Sequence, residues 1–135
     1  MNNQEIFNKV KDIIVDVLVI DADKVQPTSR LITDLGAESI DFLDLVFQLE
    51  KEFAIKIPRG QLEKNARGDL TEAEFENNGV LTDRGLQSLR NYLTEVPQEY
   101  FKDKLKTNEI PLLFTVETFC KLVESALQAK EQVIA

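Results

Sequence analysis

Residues 34–58 read Asp34-Leu35-Gly36-Ala37-Glu38-Ser39-Ile40-Asp41-Phe42-Leu43-Asp44-Leu45-Val46-Phe47-Gln48-Leu49-Glu50-Lys51-Glu52-Phe53-Ala54-Ile55-Lys56-Ile57-Pro58. Phe42, Leu45, Val46, Leu49 and Phe53 recur at steps of three and four, the spacing of one helix face, which predicts an amphipathic helix over 39–53 that ends before Pro58. A loop held by Leu35 and turned by Gly36 delivers Ser39 to the first turn of that helix. Unpaired N–H groups and the positive end of the helix dipole favour a phosphate there. An exposed serine in this place suits a phosphoester; serine is also a preferred N-cap, so a plain capping role competes with the functional one. The helix holds more apolar residues than one face can bury. Ile40, Leu43 and Phe47 fall on an adjoining face, with Asp44 and Glu50 towards solvent. Such a strip is either a docking surface or is covered by another part of the chain.

Outward from this stretch the same reasoning predicts an all-α chain. Over 3–20, Ile6, Val10, Ile13, Ile14 and Val17 are spaced as a helix, with Asn2 and Glu5 in the cap and third positions. Residues 21–38 combine Pro27, Thr28, Ser29 and Gly36 with Leu31, Ile32 and Leu35, the mark of a long loop pinned by apolar anchors, a kind of loop more often functional than idle. At the far end Thr115 is placed to cap a helix whose stripe is Val116, Phe119, Cys120, Val123, Ala126 and Leu127. Between Arg59 and Pro111, glycines and polar residues interrupt the pattern. Short helices are expected near 71–77, 83–94 and 98–105, punctuated by Asn78-Gly79 and Pro97. No sustained strand alternation and no internal repeat are evident.

Composition narrows the function. The 135 residues suffice for one domain with one core. A formal net charge of -8 argues against nucleic-acid backbones and anionic membranes and for partners with basic surfaces. The sequence has no histidine and one cysteine, Cys120, which removes the common serine and cysteine triads, a tetrahedral zinc site and internal disulfides; no catalytic residue and no metal ligand is assigned. Cys120 sits within an apolar stripe, where a buried, unreactive thiol is expected. No run of roughly 20 apolar residues occurs, and the polar start MNNQEIFNKVKD is unlike a secretory signal. Cytoplasmic residence is therefore expected.

The run Gly36-Ala37-Glu38-Ser39-Ile40-Asp41, followed by an acidic and apolar helix and closing at Ile57-Pro58, resembles the acyl carrier protein family. That family's signature is D-S-L at the start of its second helix, within G-x-D-S-L-D. The resemblance covers residues 1–58 and about 111–135. It implies an acyl-carrier-like helical bundle of three main helices plus short ones, with a helical insertion at 59–110 before the last main helix. It further implies that Ser39 is the attachment point of 4′-phosphopantetheine, donated by coenzyme A, with Glu38 and Ile40 flanking it in place of the usual Asp and Leu. Ile40, Asp41, Leu43, Asp44, Phe47, Glu50 and Glu52 match the family's partner-recognition helix. The insertion resembles that of the long-insert carrier proteins of Gram-negative bacteria, some of which serve attachment of very long acyl chains to lipid A.

On this reading the chain is not an enzyme. It bears acyl groups as thioesters for fatty-acid or lipid biosynthesis, and its partners are a phosphopantetheinyl transferase and the loading, elongating and acyltransferase enzymes. One lysine against five acids over 38–53 gives that stretch a charge of -4, suited to brief docking on basic patches. A monomer is expected. A polyketide or peptide-synthesis carrier, and an unmodified adaptor with the same fold, are the competing functions. In the insertion, Leu86, Leu89, Tyr92, Leu93, Tyr100, Phe101 and Leu105 are too many apolar groups for short helices to hide among themselves. Burial near Phe47 and Ile57, or against an acyl chain, is the expectation.

Overall fold

The computed structural model describes residues 2–58 and 60–134, and the side chains of 2–58 and 60–130. It is predominantly helical, and it divides the chain into two compact units, one made of residues 1–58 and 114–135 and the other of 59–113.

In the first unit, α1 spans Asn3–Leu18, α2 Ser39–Phe53 and α6 Val116–Ile134. Asn2 caps α1 by accepting the Glu5 N–H through its side chain at 2.9 Å, so the expected cap is present. The helix stops two residues short of the expected end because Val19 turns left-handed and its N–H returns to the Val15 carbonyl. Ile6, Val10 and Ile14 of α1, Leu45, Leu49 and Phe53 of α2, and Val116, Phe119, Cys120 and Val123 of α6 are buried. Each such side chain contributes about 1.5–3 kcal/mol by leaving water. Packing joins α1 to both α2 and α6. The rings of Phe42, Phe114 and Phe119 add a tilted and edge-on cluster with centroids 5.8–6.3 Å apart. Phe42 and Val46, expected in the core stripe, are half-buried, whereas Leu122, outside the expected stripe of α6, is buried.

The long connection from α1 to α2 is tied to the start of α6 by main-chain bonds. The Leu31 N–H donates to the Phe114 carbonyl, the Val116 N–H to Ser29 and the Glu117 N–H to Pro27, each at 3.0 Å. Leu31 and Val25 are fully buried beneath this clasp. Thr115 caps α6 as expected, its hydroxyl accepting the Thr118 N–H at 3.2 Å. At the other end of the loop, the Ala37 N–H donates to the Leu31 carbonyl at 2.8 Å. Gly36, at φ +77°, makes the last turn before α2.

The second unit holds α3 (Gln61–Arg67), α4 (Glu72–Phe75), a two-stranded antiparallel hairpin of β1 (Glu76–Asn77) and β2 (Val80–Leu81), and α5 (Asp83–Tyr92). Three expectations are corrected here. Helix α3 was not anticipated, because Leu62 and Ala66 give too thin an apolar stripe to announce it. Asn78-Gly79 does more than punctuate: both residues have positive φ, at 53° and 79°, the geometry that turns a tight hairpin. The helix expected over 98–105 is a short 3₁₀ turn at Gln98–Tyr100, followed by irregular chain in which Lys104 is left-handed at φ 57°. A second 3₁₀ stretch covers Thr107–Leu113. Thr82 caps α5 by accepting the Gly85 N–H at 2.9 Å, and Leu86, Leu89, Leu93, Phe101 and Leu105 are buried.

Gly85 lies against the Phe75 backbone so closely that an added Cβ would overlap the Phe75 carbonyl. Gly85→Ala is therefore expected to destabilise the chain by at least about 2 kcal/mol, at the upper end of overpacking penalties. Urea denaturation measures this, and an unchanged midpoint would mean that α5 moves freely away from the end of α4.

Candidate functional site

The N-terminal turn of α2 is built from the loop outward. Arg30 and Asp34 fold the preceding segment on itself: the Arg30 main-chain N–H donates to the Asp34 carboxylate at 2.8 Å, and the guanidinium pairs with it at 3.4 Å. That main-chain bond, with the guanidinium in support, holds the Asp34 carboxyl below its usual range. Ala37 is buried, and from Glu38 to Ile40 the chain emerges exposed.

The cap position of α2 belongs to Glu38, whose backbone is extended (φ -107°, ψ 165°), and Ser39 is the first helical residue. Asp41, one turn on, reaches back and accepts the Glu38 N–H at 2.8 Å through its side chain. In the sequence a capping role for Ser39 competes with a functional one; the structure gives the cap to its neighbour. The Ser39 hydroxyl is exposed and engages in no hydrogen bond among the described residues.

The expected apolar strip is present. Ile40, Leu43 and Phe47 are 69%, 58% and 61% exposed, and their spacing aligns them along one side of α2. Asp44 lies beside them, exposed and without a partner among the described residues. At the far end, Phe47, Glu50, Lys51, Ala54, Ile55 and Lys56 line an open groove of about 430 Å³.

Glu50 is not on the solvent side as its position in the pattern implied. It is half-buried, and its carboxylate accepts the Ile57 N–H at 2.7 Å while its carbonyl accepts the Ile55 N–H at 3.1 Å. It thereby ends the helix and folds Ile55 and Ile57 inward, where both are buried. Glu52 pairs with Lys9 at 3.1 Å on the surface. Asp41, Glu50 and Glu52 are thus engaged by chain groups, whereas Asp44 is not. Nothing in the local sequence announced the Glu50 bond, since its partner lies seven residues away beyond the helix end. Cys120 is buried, and desolvation, with Glu117 and Glu124 adding to it, pushes its thiol up to about 12. It is no loading nucleophile at neutral pH. Among the described residues no cluster of potential metal ligands occurs, and no helix is long and apolar enough to cross a membrane.

A family profile described as "Phosphopantetheine attachment site" matches residues 8–68, the stretch that contains most of α1, the loop, α2 and α3. An acyl carrier protein from a Picosynechococcus species is 55% identical over 62 residues, which is 46% of this chain and 76% of that protein. The chain belongs to the acyl carrier protein family. A second relative, acyl carrier protein AcpXL of Rhizobium meliloti, is 53% identical over 55 residues, 41% of this chain and 58% of that one. Acyl carrier proteins are carriers and not enzymes, and their prosthetic group is covalently bound 4′-phosphopantetheine. This carrier's residues fit the group: a serine with an idle, exposed hydroxyl stands in the first turn of a 15-residue helix, where free N–H groups favour a phosphodiester.

The two exposed-looking acids of α2 should separate on substitution. Asp44→Lys is expected to shift stability by no more than about 0.5 kcal/mol, as surface changes do. Glu50→Ala should cost about 1.5–3 kcal/mol, the range for losing a bond to a charged group. Thermal unfolding of the two variants decides it; equal losses would contradict the assignment of Glu50 to the helix end.

Proposed function

We propose that Ser39 bears the 4′-phosphopantetheine and that the carrier hands acyl groups between cytoplasmic enzymes of fatty-acid or lipid biosynthesis, very-long-chain attachment to lipid A being its specialised form. The observation that carries the site assignment is the state of the Ser39 hydroxyl, exposed and structurally unused at the first position of α2. When bound, the prosthetic group supplies a terminal thiol on a flexible arm, which holds the acyl chain as a thioester. The chain's own part is to hold the serine still and to present a recognisable surface around it. The first-turn N–H groups of α2 favour the phosphate's negative charge, and Glu38 and Ile40 frame the serine on either side.

Transfer between enzymes requires recognition without retention. Ile40, Leu43 and Phe47 offer an apolar strip too small to bind tightly by itself, and the acidic setting of residues 38–53 steers basic patches towards it, raising encounter rates more than affinity. The proposed partners are the phosphopantetheinyl transferase and the loading, elongating and acyltransferase enzymes, each docking in turn on a monomeric carrier. Support for the lipid branch is the extra segment at 59–110, read as an insertion within a single carrier domain of the long-insert kind.

Ser39→Ala is expected to abolish the mass increase of one phosphopantetheine on incubation with coenzyme A and a transferase. Because Glu38 and not Ser39 occupies the cap, the substitution should leave stability within about 0.5 kcal/mol, below the ordinary cost of about 1 kcal/mol for a lost cap. Intact-mass analysis and thermal unfolding read the two halves of this expectation. Persistent labelling would remove Ser39 as the site.

A further inference from the structure

We propose that Asp41, unlike the docking acid Asp44 that the family resemblance implies, acts in this carrier as a positioning residue for Ser39. The proposal rests on Ser39 being the modified residue. It departs from the view of α2 as a uniform row of acids for partner recognition.

The geometry separates the two aspartates. Asp41 is half-buried, and its carboxylate is committed to the Glu38 N–H at 2.8 Å. That bond fixes the peptide immediately before Ser39. It holds Glu38 in its extended conformation at the cap and so makes Ser39, and not a later residue, the start of the helix. The Asp41 N–H in turn donates to the Glu38 carbonyl at 2.9 Å, so the two residues close a ring of main-chain and side-chain bonds around the serine. Among the described residues Ser39 has no side-chain bond of its own to hold it. Upstream, Gly36 has φ +77° with open space about its Cα, so the nearest steric support is the buried Ala37. The direction of the Ser39 Cα–Cβ bond therefore depends on the ring closed by Asp41. Asp44, one turn further along, is exposed and makes no bond among the described residues. Its charge is free to meet a cation on a partner.

Modification places a demand on this arrangement. Ser39 Oγ must form a bond to the phosphorus that carries pantetheine while the bond from that phosphorus to the bridging oxygen of coenzyme A's pyrophosphate breaks. Adenosine 3′,5′-bisphosphate leaves and the hydroxyl proton passes to the transferase. In-line attack of this kind is sensitive to small errors in the nucleophile's placement. A frayed first turn would bind the transferase as before yet present the oxygen correctly only part of the time.

The test compares Asp41→Asn, Asp41→Ala and Asp44→Asn as full-length apo-carriers with coenzyme A and a transferase, measuring kcat and KM at low and at moderate salt. An asparagine oxygen can still accept the Glu38 N–H, so Asp41→Asn is expected to stay within about twofold of the unsubstituted chain. Asp41→Ala should lower kcat about fivefold, the size of a lost cap bond, with little change in KM or in salt dependence. Asp44→Asn should do the reverse, raising KM and flattening the salt dependence with kcat kept. Faster amide exchange at Ser39 and Ile40 in Asp41→Ala, larger than any change in the cores of α1 and α6, would locate the effect in the first turn. The proposal is overturned if Asp41→Asn is as impaired as Asp41→Ala, which would make the charge the active feature. An Asp41→Ala variant that turns over normally overturns it equally. Peptide mapping of the labelled, unsubstituted carrier separates these results from a failure of the Ser39 assignment, since label on another residue would remove the basis of both.

Discussion

Three main-chain hydrogen bonds join residues 27–31 to residues 114–117, and the placement of the serine follows from them. A loop of nearly twenty residues has a large entropy to lose, and apolar anchors alone would leave its path loosely defined. Here Leu31 donates its N–H to Phe114 and buries its side chain, while its carbonyl takes the Ala37 N–H. One residue thus fixes the loop to α6 on one side and the entry to α2 on the other. The aromatic contacts of Phe42 with Phe114 and Phe119 carry the same link into the core. With the loop's end fixed, α2 can begin only where Glu38 leaves the turn.

The acids of α2 show that a charge pattern read along a sequence mixes different jobs. Asp41 serves the first turn, Glu50 the last and Glu52 a surface pair with Lys9, while Asp44 remains open. A carboxylate is a strong acceptor as well as a charge, and helix ends are where unpaired N–H groups and inward-turning chain need acceptors. The long-range field of the segment is the same whichever way its acids are engaged. Their short-range availability to a partner is not.

Helix α2 was legible to the residue because apolar spacing, a turn before it and Pro58 after it all agreed. The exposed face of Ile40, Leu43 and Phe47 was legible for the same reason: the helix had more apolar residues than its core side could take. What escaped was decided by contacts between residues distant in sequence or by backbone states without a residue signature. Ala54 ends α2 in a left-handed conformation usually taken by glycine, and Val19 does the same for α1, a costly choice for a β-branched residue. In 59–113 the elements are short: two-residue strands carry no alternation to detect, α3 shows two apolar residues in seven, and Lys104 breaks a stretch whose composition favoured helix. The identity of the cap at α2 could not be read from a serine and a glutamate standing side by side, since the outcome turned on the backbone angles of one peptide.

The division of the bundle into two chain segments has a consequence for how it assembles. α1 and α2 lie before residue 59 and α6 after residue 113, so α6 cannot reach its partners until the intervening segment has been spanned. As an unstructured loop, a segment of this length raises the entropic barrier to closure by about 0.6 kcal/mol for each doubling over a short link. Local contacts within 59–113, among the hairpin and its flanking helices, span far fewer residues and form sooner. Sequence separation alone thus favours contacts within 59–113, and between α1 and α2, over the meeting of Leu31 with Phe114. On a ribosome, that meeting cannot precede the emergence of Phe114, so the clasp that fixes the serine's loop has to wait for chain made more than eighty residues after Leu31.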